Sequence, residues 1–119
     1  TTRQIFDLIR IGDKRGTFVL PWIFERTGQP DPGRGDCLIL IDFDGTPTML
    51  VRLEQVYRLP FGDITARDTA IDGEPVRDIA VWKPLHTQYW NALLKPFGLH
   101  VTPDMPVWVE PFTLVYERR

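Results

Sequence analysis

"CLILIDFDGTPTMLVRLEQVYRL", residues 37–59, is the stretch whose reading decides the fold. Cys37 to Ile41 is continuously apolar, the mark of a short buried strand. "DFDG" follows, and Asp44-Gly45 is a pair that a tight hairpin prefers. The segment from Thr46 to Leu59 then returns as a second strand. Asp42 and Asp44 also sit as the opening of a calcium loop would. Such a loop needs a further acidic ligand at its far end, and here the chain continues with Thr, Pro and apolar residues, so no metal is expected.

On the N-terminal side, "RQIFDLIRIG" sets Ile5, Leu8 and Ile9 at helical spacing, with Gly12 placed to stop the helix. Arg3 to Ile11 therefore reads as a short amphipathic helix. "TFVL" reads as a strand, Pro21-Trp22 redirects the chain, and "RTGQPDPGRGD" is an exposed loop of turn formers. On the C-terminal side, "PFGDITARDTAIDGEP" reads as a loop, a short helix around Ile64 to Ala70 and a tight turn at Asp72-Gly73. Ile79, Trp82, Leu85, Tyr89 and Leu93 then recur at helical spacing along a long helix, which Pro84 kinks or restarts. "MPVWVEPFTLVYE" is a final strand, and Pro111 within it implies an edge position or a bulge. Four strands interleaved with short helices predict an α+β chain built on a small mixed β-barrel.

The 119 residues fit one domain, residues 1–119, and 43% hydrophobic content argues against disorder. No apolar run approaches the roughly 20 residues that span a bilayer, and the N-terminus lacks a signal pattern, so the expectation is a cytoplasmic protein with no membrane partner. Cys37, the sole cysteine, can form no internal disulfide and reads as a small core hydrophobe. A net charge of −2 argues against coating nucleic acid, since nonspecific affinity needs many cations on phosphates. Charge is nonetheless uneven. Residues 3–34 hold six basic against four acidic side chains, and residues 63–78 hold five acidic against two basic. These segments are either two charged walls facing each other or plain solvated surface.

Chemistry narrows further by elimination. The chain has no serine, which removes serine-nucleophile hydrolysis, and two histidines with one cysteine give no zinc spacing. "GDKRGT", Gly12 to Thr17, is not a Walker loop, because Arg15 rather than Ser or Thr follows Lys14. Lys14 and Thr17 remain as reactive groups: an ammonium that holds a phosphate or carbonyl oxygen, beside a hydroxyl, with a carboxylate to orient the lysine. His86, one turn from Trp82 and Trp90, reads first as a packing or capping histidine and second as a group pointing into a cleft. Trp22, Trp82, Tyr89, Trp90 and Phe97 read as core, or as platforms on which a base stacks.

At these residues the chain resembles a family. "GDKRGT" fits the G-x-K-x-x-T signature of the ASCH domain, a PUA-like β-barrel, and the order of "LIRIGDKRGT", "LILIDFDGTPTMLVRLEQVYRLPFGDI", "TAIDGEPVRDIAVWKPLH" and "MPVWVEPFTLVYE" is similar to a bacterial subgroup of it along nearly the whole chain. The resemblance implies a cleft between barrel and helices, lined by Lys14 and Thr17. It implies binding of RNA or a modified nucleoside, with Gly12, Lys14, Arg15, Thr17, Trp22, Trp82 and His86 as ligand-binding residues and no cofactor. Two enzymatic alternatives come with it: an amidohydrolase acting on N4-acetylcytidine, whose catalytic set is a Lys, a Thr and a Glu, and a single-strand ribonuclease. "AIDGE" places Asp72 at that Glu position, one methylene shorter, with Glu74 two residues on. Gly73 fixes the turn so that Asp72, rather than Glu74, is expected nearer Lys14. A protein interaction module is the remaining alternative, and the oligomeric state is open.

Overall fold

The computed structural model describes residues 2–118. Helix α1 (Thr2–Arg10) leads to strand β1 (Gly16–Val19), helix α2 (Pro21–Thr27), and strands β2 (Cys37–Ile41), β3 (Pro47–Leu53) and β4 (Tyr57–Pro60). Helix α3 (Ala66–Thr69), helix α4 (Ile79–Leu94) and strand β5 (Pro106–Glu117) complete the chain. The five strands form one curled antiparallel sheet, a half-barrel, with the order β1-β5-β3-β2 and β4 also on β5.

Strand β5 is the axis of the sheet. β1 runs along one flank of it, with Thr17 opposite Glu110 and Val19 opposite Trp108. β3 and β4 share the other flank, with Leu53 opposite Phe112 and Tyr57 opposite Val109. The return of the hairpin, expected as one strand, is thus broken at Glu54, Gln55 and Val56, where the chain takes one residue more than β5 does. Pro111 sits at this break and not on an edge strand. Its carbonyl accepts from the Glu54 N–H at 2.9 Å. Its missing N–H would point the same way, toward the interruption, so a central strand tolerates it.

Two separate apolar cores pack against the sheet. Phe18, Trp82, Trp90, Val107 and Val109 pack between sheet and α4, while Phe6, Ile9, Met49, Val51 and Phe112 pack between α1 and the far end of the sheet. Pro84 falls inside α4 without ending it, and Asp78 caps the helix by accepting from the Ala80 N–H at 3.0 Å. Three expectations change. Pro21-Trp22 does not merely turn the chain but opens α2, with Pro21 at its first position and Gly28, φ 71°, in the left-handed cap beyond its end. Strand β2 is an edge with only Leu38 and Leu40 turned toward the core, so it is half-buried. Cys37 accordingly lies on its exposed face. Among the described residues no helix is long and apolar enough to cross a membrane.

On the side of β5 away from Val107 and Val109 a carboxyl is buried. Glu110 is 2% exposed, and burial first, the Asp36 charge second, push its pKa from 4.5 up to about 7. A carboxyl that holds its proton more tightly when folded stabilises the fold at low pH, and the contribution is lost as pH rises through about 7. Glu110→Gln should therefore flatten the decline of stability between mildly acidic and mildly alkaline pH, a difference on the order of 3 kcal/mol across that range. Denaturant unfolding of both proteins along a pH series checks this. Parallel curves would contradict it.

Candidate ligand-binding cleft

Gly12, at φ 81°, ends α1, and the N–H groups of Gly12, Asp13 and Lys14 cap its last carbonyls at Ile9 and Leu8. The three residues that follow are laced to the turn after α3. Arg15 donates its N–H to Ile71 O at 2.6 Å and its guanidinium to Ala70 O at 3.1 Å. Lys14 Nζ lies 2.7 Å from Asp72 Oδ1, and Asp13 Oδ2 accepts from the Glu74 N–H at 2.9 Å. Arg77 adds a contact to Asp13 at 3.3 Å. The basic and acidic segments of the sequence do face each other. Gly73 lets the turn approach α1 closely, since a Cβ there would stand 2.6 Å from Leu8 Cδ1 and make that side chain shift.

The Lys14–Asp72 pair is shielded, with side chains only 15% and 9% exposed. Trp82 Nε1–H donates to the other carboxylate oxygen at 3.2 Å, and the Gly73 N–H reaches Oδ1 at 3.2 Å. Both oxygens of the Asp72 carboxylate thus accept hydrogen bonds, as a buried charge requires. Glu74 points elsewhere. It pairs with Arg77 at 2.7 Å on the surface and borders a separate groove against α1.

Lys14, Thr17, Asp72 and His86 come together on one cleft of about 360 Å³ between β1, α2 and α4. Ile23 and Phe24 of α2 and Tyr89, Trp90 and Leu93 of α4 form its apolar walls, and Tyr89 is 58% exposed. The Thr17 hydroxyl makes no hydrogen bond to any described residue. His86 stacks on Trp82 at 4.1 Å and 19°, with Nδ1 3.0 Å from Trp82 O. A carbonyl only accepts, so Nδ1 carries the proton. Burial lowers the His86 pKa below 6.5. The ring is therefore neutral at pH 7, with Nε2 a bare acceptor.

Four sequence candidates take other places. Trp82 is fully buried and can stack no ligand; it works from behind, by fixing Asp72. Trp22 packs against the core beside the cleft and does not line it. Gly12 and Arg15 border a different depression, against Phe112 and Leu114. The walls from α2 were missed in the sequence, although Pro21 and Gly28 bracket that helix as start and stop signals do. Glu110 was missed as well, because alternation along β5 puts it with Trp108 on a face that only tertiary packing covers.

Residues 1–116 match the family model of the ASCH domain, and the chain belongs to that family, which is generally thought to bind RNA. The crystal structure of an ASCH domain from Lactobacillus crispatus is similar, with a TM-score of 0.87 at 23% identity over 97% of this chain and 72% of that one. A crystal structure of a protein from Enterococcus faecalis gives a TM-score of 0.84 at 21% identity, over 94% and 67%. These likenesses show a shared fold. A comparison with curated proteins finds no match.

Removing Asp72 strands a shielded ammonium and the Trp82 N–H together, whereas removing Glu74 frees an exposed surface pair. Asp72→Ala should destabilise the protein by about 3–5 kcal/mol, the range for breaking a buried pair. Glu74→Ala should change stability little. Denaturant midpoints measure both, and equal losses would contradict the assignment.

Proposed function

We propose that the cleft binds the base of a nucleoside, either free or as one unit of single-stranded RNA, and that it does so through neutral rather than ionic recognition. The observation that carries this reading is the charge balance of the site. The one ammonium in the cleft is matched by Asp72 at 2.7 Å, and His86 is neutral. A phosphate entering there would meet the Asp72 carboxylate as well as Lys14 and would gain little. A neutral heterocycle loses nothing by that balance. Lys14 retains N–H groups beyond the one on Asp72 with which to hold a carbonyl oxygen, and exposed Tyr89 offers a ring face on which a base can stack. The overall charge of −2 agrees with a protein that does not depend on phosphate contacts.

A second reading rests on one observation: Lys14, Thr17 and Asp72, which stand where the resemblance puts a hydrolytic Lys, Thr and Glu, with Asp in place of the Glu, line the same cleft, and the Thr17 hydroxyl is unengaged. It predicts acetate release from N4-acetylcytidine that persists in chelator and is lost in Thr17→Val.

Titration with cytidine and with a short single-stranded RNA tests the binding reading. Affinity for the nucleoside should hold nearly constant from low to moderate salt, because no net counterion release accompanies neutral recognition. Lys14→Ala should weaken it about tenfold, equivalent to about 1.4 kcal/mol, while Arg15→Ala leaves it unchanged. Steep salt dependence for the nucleoside, or indifference to Lys14→Ala, would contradict this reading.

A further inference from the structure

β1 is an edge strand, paired with β5 on one side and open to the cleft on the other. The parity of its hydrogen bonds follows from two contacts. Phe112 N–H donates to Arg15 O at 2.8 Å, so residues in step with Arg15, namely Thr17 and Val19, turn their main chains to β5. Pro111 O turns the other way, to Glu54, which agrees. The main chains of Gly16 and Phe18 therefore face away from β5. Gly16 does not line the cleft, and the chain at Ile71 runs beside it, Ile71 O accepting from the adjacent Arg15 N–H at 2.6 Å. Leu20, next in step, has its carbonyl taken by the N–H groups of Ile23 and Phe24 at the start of α2.

Phe18 is left. It lines the cleft and is 8% exposed, yet no described residue bonds its outward N–H or C=O. More than nine in ten buried main-chain groups are paired, so an unmatched donor and acceptor on one residue, inside a cleft, point to a ligand that supplies both partners. His86 lies close by, its ring centroid 6.0 Å from that of Phe18. Because Nδ1 is engaged on Trp82, Nε2 is a second acceptor on the same cleft wall.

We infer that the open edge of β1 at Phe18, together with His86 Nε2, reads the hydrogen-bonding edge of the base and selects bases that carry an exocyclic amino group over uracil. This rests on the nucleoside reading above and deepens it. Phe18 O and His86 Nε2 are two acceptors, and Phe18 N–H and Lys14 Nζ are donors. An amino-bearing base supplies at least two N–H donors for the first pair and ring or carbonyl acceptors for the second. Uracil has one N–H outside the glycosidic nitrogen and leaves one buried acceptor bare. A site built to bond an N–H rejects the analogue that lacks it, because its own polar group stays unpaired.

The test compares cytidine, uridine and N4,N4-dimethylcytidine on the wild-type protein by calorimetry, with amide spectra recorded alongside. Cytidine should bind about tenfold or more tightly than the other two. On saturation the Phe18 amide signal should shift and exchange more slowly with solvent. His86→Phe, which keeps a ring on Trp82 but removes the acceptor, should close most of the gap between cytidine and uridine. The Phe18 amide response in the wild type needs no variant and holds even where that substitution perturbs folding. Equal affinities for the three nucleosides, or a Phe18 amide untouched by cytidine, would overturn this inference while leaving nucleoside binding standing. Failure of every nucleoside and of single-stranded RNA to bind would overturn both.

Discussion

The short contact between Lys14 and Asp72 is the constraint on which the rest of the site depends. Fifty-eight residues separate the two in sequence, and a 2.7 Å ion pair joins them. It is the middle stitch of three. Asp13 holds the backbone at Glu74, Lys14 holds Asp72, and Arg15 holds Ala70 and Ile71. The loop that ends α1 is thereby tied to the turn that precedes α4, and β1 leaves that tie aimed along the cleft floor. Trp82 connects the stitch to the core: its ring packs on Phe18 and His86 while its N–H fixes the carboxylate.

Chemistry follows from that geometry. A lysine free at a cleft mouth would make a general anion site. A lysine matched to a shielded aspartate, with a neutral imidazole beside it, makes a site that discriminates by hydrogen-bond pattern and shape. Burial supplies the force, because polar groups in a low-dielectric cleft lose much when left unpaired. The same logic keeps the Glu110 carboxyl protonated into the neutral range, on the face of β5 that it shares with its cross-strand partner Thr17.

Much of this was legible in the sequence, and the exceptions are instructive. Asp44-Gly45 marked the hairpin, Ile5, Leu8 and Ile9 marked α1, and Gly73 pointed to Asp72 rather than Glu74 as the partner of Lys14. Of the edge position and the bulge read for Pro111, the structure shows an irregularity in a central strand: the break between β3 and β4 removes the need for a donor there. Cys37 looked buried because an unbroken apolar run does not reveal which strand will be an edge. Trp82 read as core or as a stacking platform, and Phe18 and Phe61 packing against it decide for core. The open main chain of Phe18 has no sequence signal at all, since it arises from strand order and ladder parity.

The most direct measurement is a double-mutant cycle on Lys14 and Asp72, using Lys14→Met, Asp72→Asn and the pair together, with unfolding free energies read from denaturant titration. If their contact holds loop and turn together, each single change leaves a shielded polar group without its partner and the double change does not. The two losses should then fall short of adding by about 1–3 kcal/mol. Losses that add within about 0.5 kcal/mol would show that the two side chains stand near each other without holding the site together.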